Sequence, residues 1–382
     1  MRRAVHVLND GIEPPISGAD IRNHAIDTAL AGLFDLTTLV LEDLLAIRRI
    51  GDIPTVLDIG KDDTAAIASR VLEAEPEVIV LEGVAMLALA RRLADCANNG
   101  ASERRPRLIV DMHNVESDLL ARTLRADFRV RDVAGLLTGQ RQRTIDAARA
   151  ADRDIAILAD ELWLCSEDDR ARLHTLLDTP PPIRVVPNPV PQWCAIAREV
   201  PTRPTGEVSA LFVGHLGYRP NILAARRLID RIWPRIRTLE PDGRLVIAGR
   251  RPHKSVGARA GTVGLTVVAD PVDLAPLYAG ASVALLPLTV GGGTRIKALE
   301  ALATGVPMVA TAAAVEGLGL LPGRHYVQAE SDDAFAAAVV DLHRSPNLRD
   351  AIVDEGRALV RRNFGPEATR MAITRAFETD PG

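Results

Sequence analysis

The chain has 382 residues, 47% hydrophobic and 25% charged, with 46 basic against 50 acidic residues and a net charge of −4. This composition excludes a disordered chain, a collagen-like chain and a disulfide-stapled miniprotein. With no basic excess and only 3% aromatic residues, it offers no footing for nucleic-acid binding.

At roughly 100–200 residues per domain, the length predicts two domains. Only three of the basic residues are lysine, Lys61, Lys254 and Lys297, so each stands out among arginines. Cys96, Cys165 and Cys194 cannot all pair and show no CxxC spacing, which predicts a reduced, cytoplasmic chain. The start, MRRAVHVLND, has too short an apolar run for a signal peptide. No apolar run of eighteen residues exists, so no membrane-spanning helix is expected. Contact of Arg-rich stretches such as Arg104, Arg105 and Arg107 with an anionic membrane surface stays open. The oligomeric state is not legible.

Taken in chain order, short apolar runs predict strands at 4–8, 36–41, 54–58, 77–81, 107–111, 161–165 and 183–187. A second series follows at 209–213, 244–248, 265–269, 282–286 and 307–310. Most are separated by amphipathic helical stretches. Continuous β-branched runs predict strands buried on both faces, hence parallel sheets covered by helices. Between the two series, PNPVPQWCAIAREVPTRPTG carries five prolines and reads as a linker. The division is therefore 1–188, a linker at 189–206, 207–364, and a C-terminal helix at 365–382 that can cross back to the first domain. Helices are predicted at 332–344, 347–362 and 366–378. The fold class is α/β, with two Rossmann-like doubly wound domains expected to face a central cleft. Chemistry then belongs in the loops that follow strands.

Five such loops stand out. After the first strand, EPPISGADIRNH places Gly18 where a backbone N–H can approach a phosphate, and Arg22 toward the cleft or solvent; a plain strand-to-helix turn fits the same residues. After the strand at 107–111, DMHNVE places His113 in a loop and lets Asn114 cap the next helix. His113 can orient a sugar or balance charge near a phosphate, or simply bond to backbone. A metal reading of His113 with Glu116 has no third ligand nearby.

After the strand at 209–213, GHLGYRPN offers Gly214, His215 and Arg219, the last able to hold a phosphate. In VADPVDL, the backbone around Val272 can contact a nucleobase, while Asp273 caps a helix. Tyr278 and Phe364 read as core. The fullest constellation is PLTVGGGTRIKALEALA, a glycine run that opens a helix. Its backbone N–H groups and helix terminus suit an anion. Gly293, Lys297 and Glu300 share one helix face, opposite an apolar stripe of Ile296, Leu299 and Ala303. A diphosphate there would meet Arg295 or Lys297, and Glu300 could accept hydrogen bonds from ribose hydroxyls. The alternative is a glycine turn before a surface helix bearing a Lys–Glu pair.

There is no GxxxxGK[ST], GxSxG, HExxH or GxGxxG. The DxD at Asp152-Arg153-Asp154 reads helical, so its carboxylates point apart and cannot chelate one metal.

Residues 207–363 resemble the C-terminal half of GT-B glycosyltransferases, specifically the retaining family 4 (group 1). The resemblance runs through LFVGHLGYRPN, RLVIAGRRP, PVDLAPLYAGASVALLPL and GGGTRIKALEALATGVPMVATAAAVEGL. PPISGADIR and DMHNVES extend it thinly into the first half. It implies an N-terminal acceptor-side domain and a C-terminal nucleotide-sugar domain. It also implies metal-independent, retaining transfer of a sugar, with UDP-sugars favoured by family habit. There would be no cofactor beyond the nucleotide-sugar co-substrate. The acceptor could be a polysaccharide, a lipid-linked sugar or a small natural product.

By position, the resemblance makes His113, Lys297 and Arg295 catalytic. Gly18, Gly214, His215, Arg219, Val272, Gly292, Gly293, Thr294 and Glu300 become donor-binding. Two departures matter. The family often has two glutamates eight apart; the second matches Glu300, but the first falls on Gly292. His215 stands where the family often has arginine, with Arg219 near its lysine. A degenerate sugar-nucleotide-binding scaffold and a nucleotide-sugar epimerase are the alternatives. The epimerase would need a further carboxylate cluster, and none is evident.

Overall fold

A computed structural model describes residues 2–9, 18–41, 61–98, 105–126, 139–196, 206–292 and 295–378. The strand expected at 54–58 lies outside them. The chain divides into two compact units. The first is Met1–Pro189 with Gly292–Thr294 and Glu367–Gly382; the second is Val190–Gly291 with Arg295–Pro366.

Unit 1 holds a six-stranded sheet of β1 (Arg3–Leu8), β2 (Asp35–Val40), β3 (Val78–Glu82), β4 (Arg107–Met112), β5 (Glu161–Leu164) and β6 (Ile183–Val185). The spatial order is β2-β1-β3-β4-β5-β6, and every pairing is parallel. Alternation along the strands feeds two apolar layers. Val5, Val7, Ile79, Leu81, Leu108, Val110 and Met112 enter one layer. Ala4, Val78, Val80, Ile109 and Trp163 enter the other, with Ile26 and Leu30 of the helix Gly18–Ala31. The period of two therefore puts Glu82, Asp111 and His113 on the same side as that helix.

The second layer is closed by the helix Pro366–Glu378. Ile373 and Ala376 are buried in it, and the Phe377 ring meets Phe34 edge-on at 4.9 Å between centroids. Thr369 Oγ1 donates to the Pro187 carbonyl at 2.7 Å.

Unit 2 holds β7 (Ser209–Val213), β8 (Arg244–Gly249), β9 (Leu265–Ala269), β10 (Val283–Leu286), β11 (Met308–Ala310) and β12 (Val327–Gln328). Their order is β12-β11-β10-β7-β8-β9, again all parallel, with Val283 opposite Ala210 in the central pair. Two residues of β12 on an edge are too few to leave a sequence pattern. The proline-rich stretch is not wholly a linker: Gln192–Ile196 form a helix, and Val190 and Cys194 are buried in the core of unit 2. Apolar Val190, Trp193 and Cys194 supply the packing that the prolines mask.

Both units are doubly wound, so each has a point where the chain leaves adjacent strands in opposite directions. In unit 1 it lies between β1 and β3, and in unit 2 between β7 and β10. Loops at the carboxyl ends of these strands form a natural crevice for ligands.

Candidate functional site

In unit 2, β10 leads through 287–295 into the helix Ile296–Ala303. Gly293 and Thr294 lie outside the described residues, and Gly292 is the last described residue before them. The guanidinium of Arg295, expected near a diphosphate, is engaged by the loop around it. Arg295 is 5% exposed and turns inward. It donates from Nε to the Ala313 carbonyl at 3.0 Å and from Nη2 to the Gly291 carbonyl at 2.7 Å, with Glu316 Oε2 at 3.4 Å. The planar fork satisfies loop acceptors on either side of the helix start. Gly291 lies close beneath it: a Cβ there would come within 3.0 Å of Nη1, and the guanidinium would have to give by a few tenths of an ångström.

Lys297 sits half-buried in the first turn of the helix, and Glu300 follows one turn later, 6% exposed. This is not a surface helix with a solvated ion pair: Ala298, Leu299, Ala301 and Leu302 are buried around them. Burial and the neighbouring charge of Arg295 push the Lys297 ammonium down to about 8, while Glu300 works the other way. Burial raises the Glu300 carboxyl, opposed by the Tyr278 hydroxyl, which donates to Oε2 at 2.8 Å, and by Lys297. That tyrosine, read from sequence as core alone, is a polar partner that its apolar neighbours conceal.

At the exit of β7, the chain crosses the exit of β8. A Cβ on Gly249 would lie 1.6 Å from the Gly214 carbonyl oxygen, so no side chain fits there. The Gly214 N–H donates to the Ala248 carbonyl at 3.0 Å, and Asn221 Nδ2 donates to the His215 carbonyl at 3.0 Å. His215 is exposed, and Arg219, half-buried, opens the helix Arg219–Arg227. These residues and Lys297 follow adjacent strands at the switch point. Val272, fully exposed, follows β9, two strands from β7. Asp273 Oδ1 accepts the Ala275 N–H at 2.8 Å, but the cap position of the helix Ala275–Ala279 is Leu274, so Asp273 stands one residue before it.

In unit 1, Gly18 is the first residue of the helix Gly18–Ala31. Arg22 faces neither a cleft nor solvent: it is fully buried. Its Nε lies 2.8 Å from Asp111 Oδ2, its Nη2 also donates to Asp111, and its Nη1 donates to the Val186 carbonyl and Asn188 Oδ1, each at 2.6 Å. Asp111, also fully buried, lies beneath this helix because it alternates with Ile109 on β4. Burial works against its charge, yet Arg22 and His113 hold its carboxyl well below the usual carboxylate range.

His113 follows directly. Its Nε2 lies 3.2 Å from both Asp111 Oδ2 and Asn23 Oδ1, and its Nδ1 lies 3.9 Å from Glu82 Oε1. Burial lowers its pKa, but the Asp111 hydrogen bond and the charges of Asp111 and Glu82 outweigh it and leave the imidazole raised. With Nε2 between two acceptors, that nitrogen carries a proton. The next helix begins at Glu116, so Asn114 is not its cap; Asn114 Nδ2 donates instead to Glu116 Oε1 at 3.0 Å. Burial, with the charge of Asp152, raises the Glu116 carboxyl to about 7. Among the described residues, no group of three or more His, Cys, Asp or Glu could hold a metal ion. Asp152 lies in the helix Gln140–Leu158 and accepts the Ser117 N–H at 2.9 Å.

Residues 207–345 match the family model described as Glycosyl transferases group 1. A stretch of 165 residues is 23% identical to a protein described as "Uncharacterized 44.6 kDa protein in cps region" from Klebsiella pneumoniae. It covers 41% of this chain and 42% of that protein, so the match spans less than half the relative's length. Among solved structures, sucrose-phosphate synthase from Thermosynechococcus elongatus aligns with a TM-score of 0.71 at 17% identity, over 99% of this chain and 98% of that one. Anabaena HepE in complex with UDP-glucose aligns at 0.67 and 11% identity, over 99% and 100%. The E. coli trehalose-6-phosphate structure bound with UDP-2-fluoro glucose aligns at 0.66 and 13% identity, over 99% of each chain. The second unit thus carries a group 1 glycosyl transferase match within a two-unit α/β fold of the GT-B kind.

Proposed function

We propose that the protein is a retaining glycosyltransferase of family 4 that moves a sugar from a nucleotide-sugar, preferably a UDP-sugar, to an acceptor without a metal ion. The observation that carries this reading is the placement of Lys297 and Glu300. They lie one helical turn apart, after a glycine run, at the switch point of unit 2 and inside the family match. The UDP-sugars bound in the HepE and E. coli structures support the choice of base.

Rupture of the donor's glycosidic bond leaves negative charge on the nucleoside diphosphate. In this reading the Lys297 ammonium and the amides at the helix start receive that charge. Arg295 clasps the loop that aims them. Glu300 accepts the ribose hydroxyls, and Gly214, His215 and Arg219 line the neighbouring strand exit. His113 holds the transferring sugar, with Nε2 anchored by Asp111 and Asn23. Val272 contacts the base and Gly18 approaches the donor phosphate. The acceptor, a polysaccharide, a lipid-linked sugar or a small natural product, is read by unit 1. Cys96, Cys165 and Cys194 form no disulfide, which suits the cytoplasmic setting included in the proposal. Among the described residues, no helix is long and apolar enough to cross a membrane.

A thermal-shift panel of UDP, GDP, ADP and TDP, with and without EDTA, tests the reading. A nucleotide at about 100 times its Kd adds about 2.7 kcal/mol to the folded state. The expected result is a rise in midpoint with UDP that survives EDTA. A shift that vanishes with EDTA would overturn metal independence, and no shift from any nucleotide would favour a scaffold that has lost its donor.

A further inference from the structure

Tyr278 lies in the short helix Ala275–Ala279, in the core of unit 2, 2% exposed. Its ring is tilted against Trp193 with centroids 5.5 Å apart. A core position of this kind asks only for an apolar ring, and phenylalanine supplies one. A buried hydroxyl adds a demand, because without an acceptor it costs free energy. Here the hydroxyl meets that demand at Glu300 Oε2, 2.8 Å away.

The carboxylate has an equal need. Glu300 is enclosed, and the groups that bear on its charge come from three helices. Tyr278 donates from one, Lys297 lies on the same helix, and the Cys194 thiol comes from the helix Gln192–Ile196. The thiol is neutral, since burial pushes its pKa far up. Lys297 is committed to the diphosphate in the reading above. Tyr278 is therefore the group that holds the carboxylate in place before and after a ligand arrives.

We infer that Tyr278 is a positioning residue. It fixes Glu300 through Oε2 and leaves the remaining carboxylate lone pairs for the 2′- and 3′-hydroxyls of a ribose. The pair thereby selects donors built on a ribonucleotide over donors built on a 2′-deoxyribonucleotide. The inference rests on the assignment of Glu300 to the ribose. The physical reason for selection is that a deoxyribose leaves one acceptor site of a buried carboxylate unmade, and such sites reject the analogue strongly.

The test is calorimetric titration of UDP and 2′-deoxy-UDP into the wild type and Tyr278→Phe at pH 6 and pH 7.5. The wild type is expected to prefer UDP by at least about 10-fold. Tyr278→Phe is expected to lose most of that preference, and its unliganded thermal midpoint is expected to fall by a few degrees, because the buried carboxylate loses its donor. It should also acquire a pH dependence. Without the hydroxyl, the ionised form of Glu300 loses a donor, its pKa rises further, and UDP affinity falls between pH 7.5 and pH 6 more steeply than in the wild type. A residue that merely fills space would move neither the preference nor the pH profile.

Full preference and an unchanged pH profile in Tyr278→Phe would overturn the role of Tyr278 and leave the donor reading standing. Equal binding of the two nucleotides by the wild type would overturn the ribose assignment of Glu300 and the inference with it. No binding of either would overturn the donor reading as a whole. If the phenylalanine variant does not fold, Tyr278→Met, which also lacks the donor and fills similar space, makes the same prediction.

Discussion

Lys297, half-buried, and Arg22, fully buried, are both cations drawn into the protein, and their surroundings give them opposite fates. Arg22 has a carboxylate on its Nε edge and two oxygens at Nη1, so its charge is matched. Removing that match should be expensive: Asp111→Ala is expected to lower unfolding free energy by about 3–5 kcal/mol, read from urea melts. Lys297 meets another cation and burial, and holds its proton to about pH 8. A bound diphosphate would raise that value. UDP binding should therefore take up protons increasingly above pH 8, and affinity should fall by up to about 10-fold per pH unit there. Calorimetry in buffers of different ionisation enthalpy reads the uptake, and zero uptake from pH 7 to pH 9 would remove Lys297 from the diphosphate site. Lys297→Ala should cut turnover by about 10²–10³ as a lost preorganised charge, checked with a UDP-sugar donor. Lys297 and Glu300 were legible in the sequence because one helical turn joins them. The Arg22–Asp111 pair was not, since 89 positions separate its members and only the sheet brings them together. Tyr278 was hidden for the same reason, 22 positions from Glu300.

Strands, helices and their junctions carry the next level of constraint. Strand exits were legible wherever a β-branched run was long enough to show on both faces, as in β3, buried along its whole length. β12 escaped notice because its two residues take their conformation from pairing with β11 rather than from their own pattern. The helix Gln192–Ile196 escaped because prolines on both sides masked three apolar residues. The crossing of the β7 and β8 exits was likewise invisible, since glycines at 214 and 249 look like ordinary turn residues. Their contact leaves no room for a methyl group. Gly249→Ala should force the two exits apart and cost about 1–3 kcal/mol or more, with weakened nucleotide binding as the loops shift. A variant with wild-type stability and affinity would show that the crossing relaxes freely.

At the scale of the whole molecule, each unit has its own sheet and core, but unit 1 is assembled from both ends of the described chain. Ile373 is fully buried there, although it follows all of unit 2 in sequence. Ile373→Ala should cost about 2–5 kcal/mol. Hydrogen exchange should quicken in β1, β3 and β4 and stay unchanged in β7, β8 and β10. Equal acceleration in both sets of strands would mean that the two units unfold as one.

The same arrangement sets a timetable on the ribosome. When Pro189 emerges, unit 1 still lacks the helix that covers Phe34 and Trp163. Roughly 180 further residues must be made before that helix exists, which takes about 10–35 s at ordinary rates of synthesis. For that interval an apolar face of the nascent first unit stands open, and it can close only after unit 2 has been made.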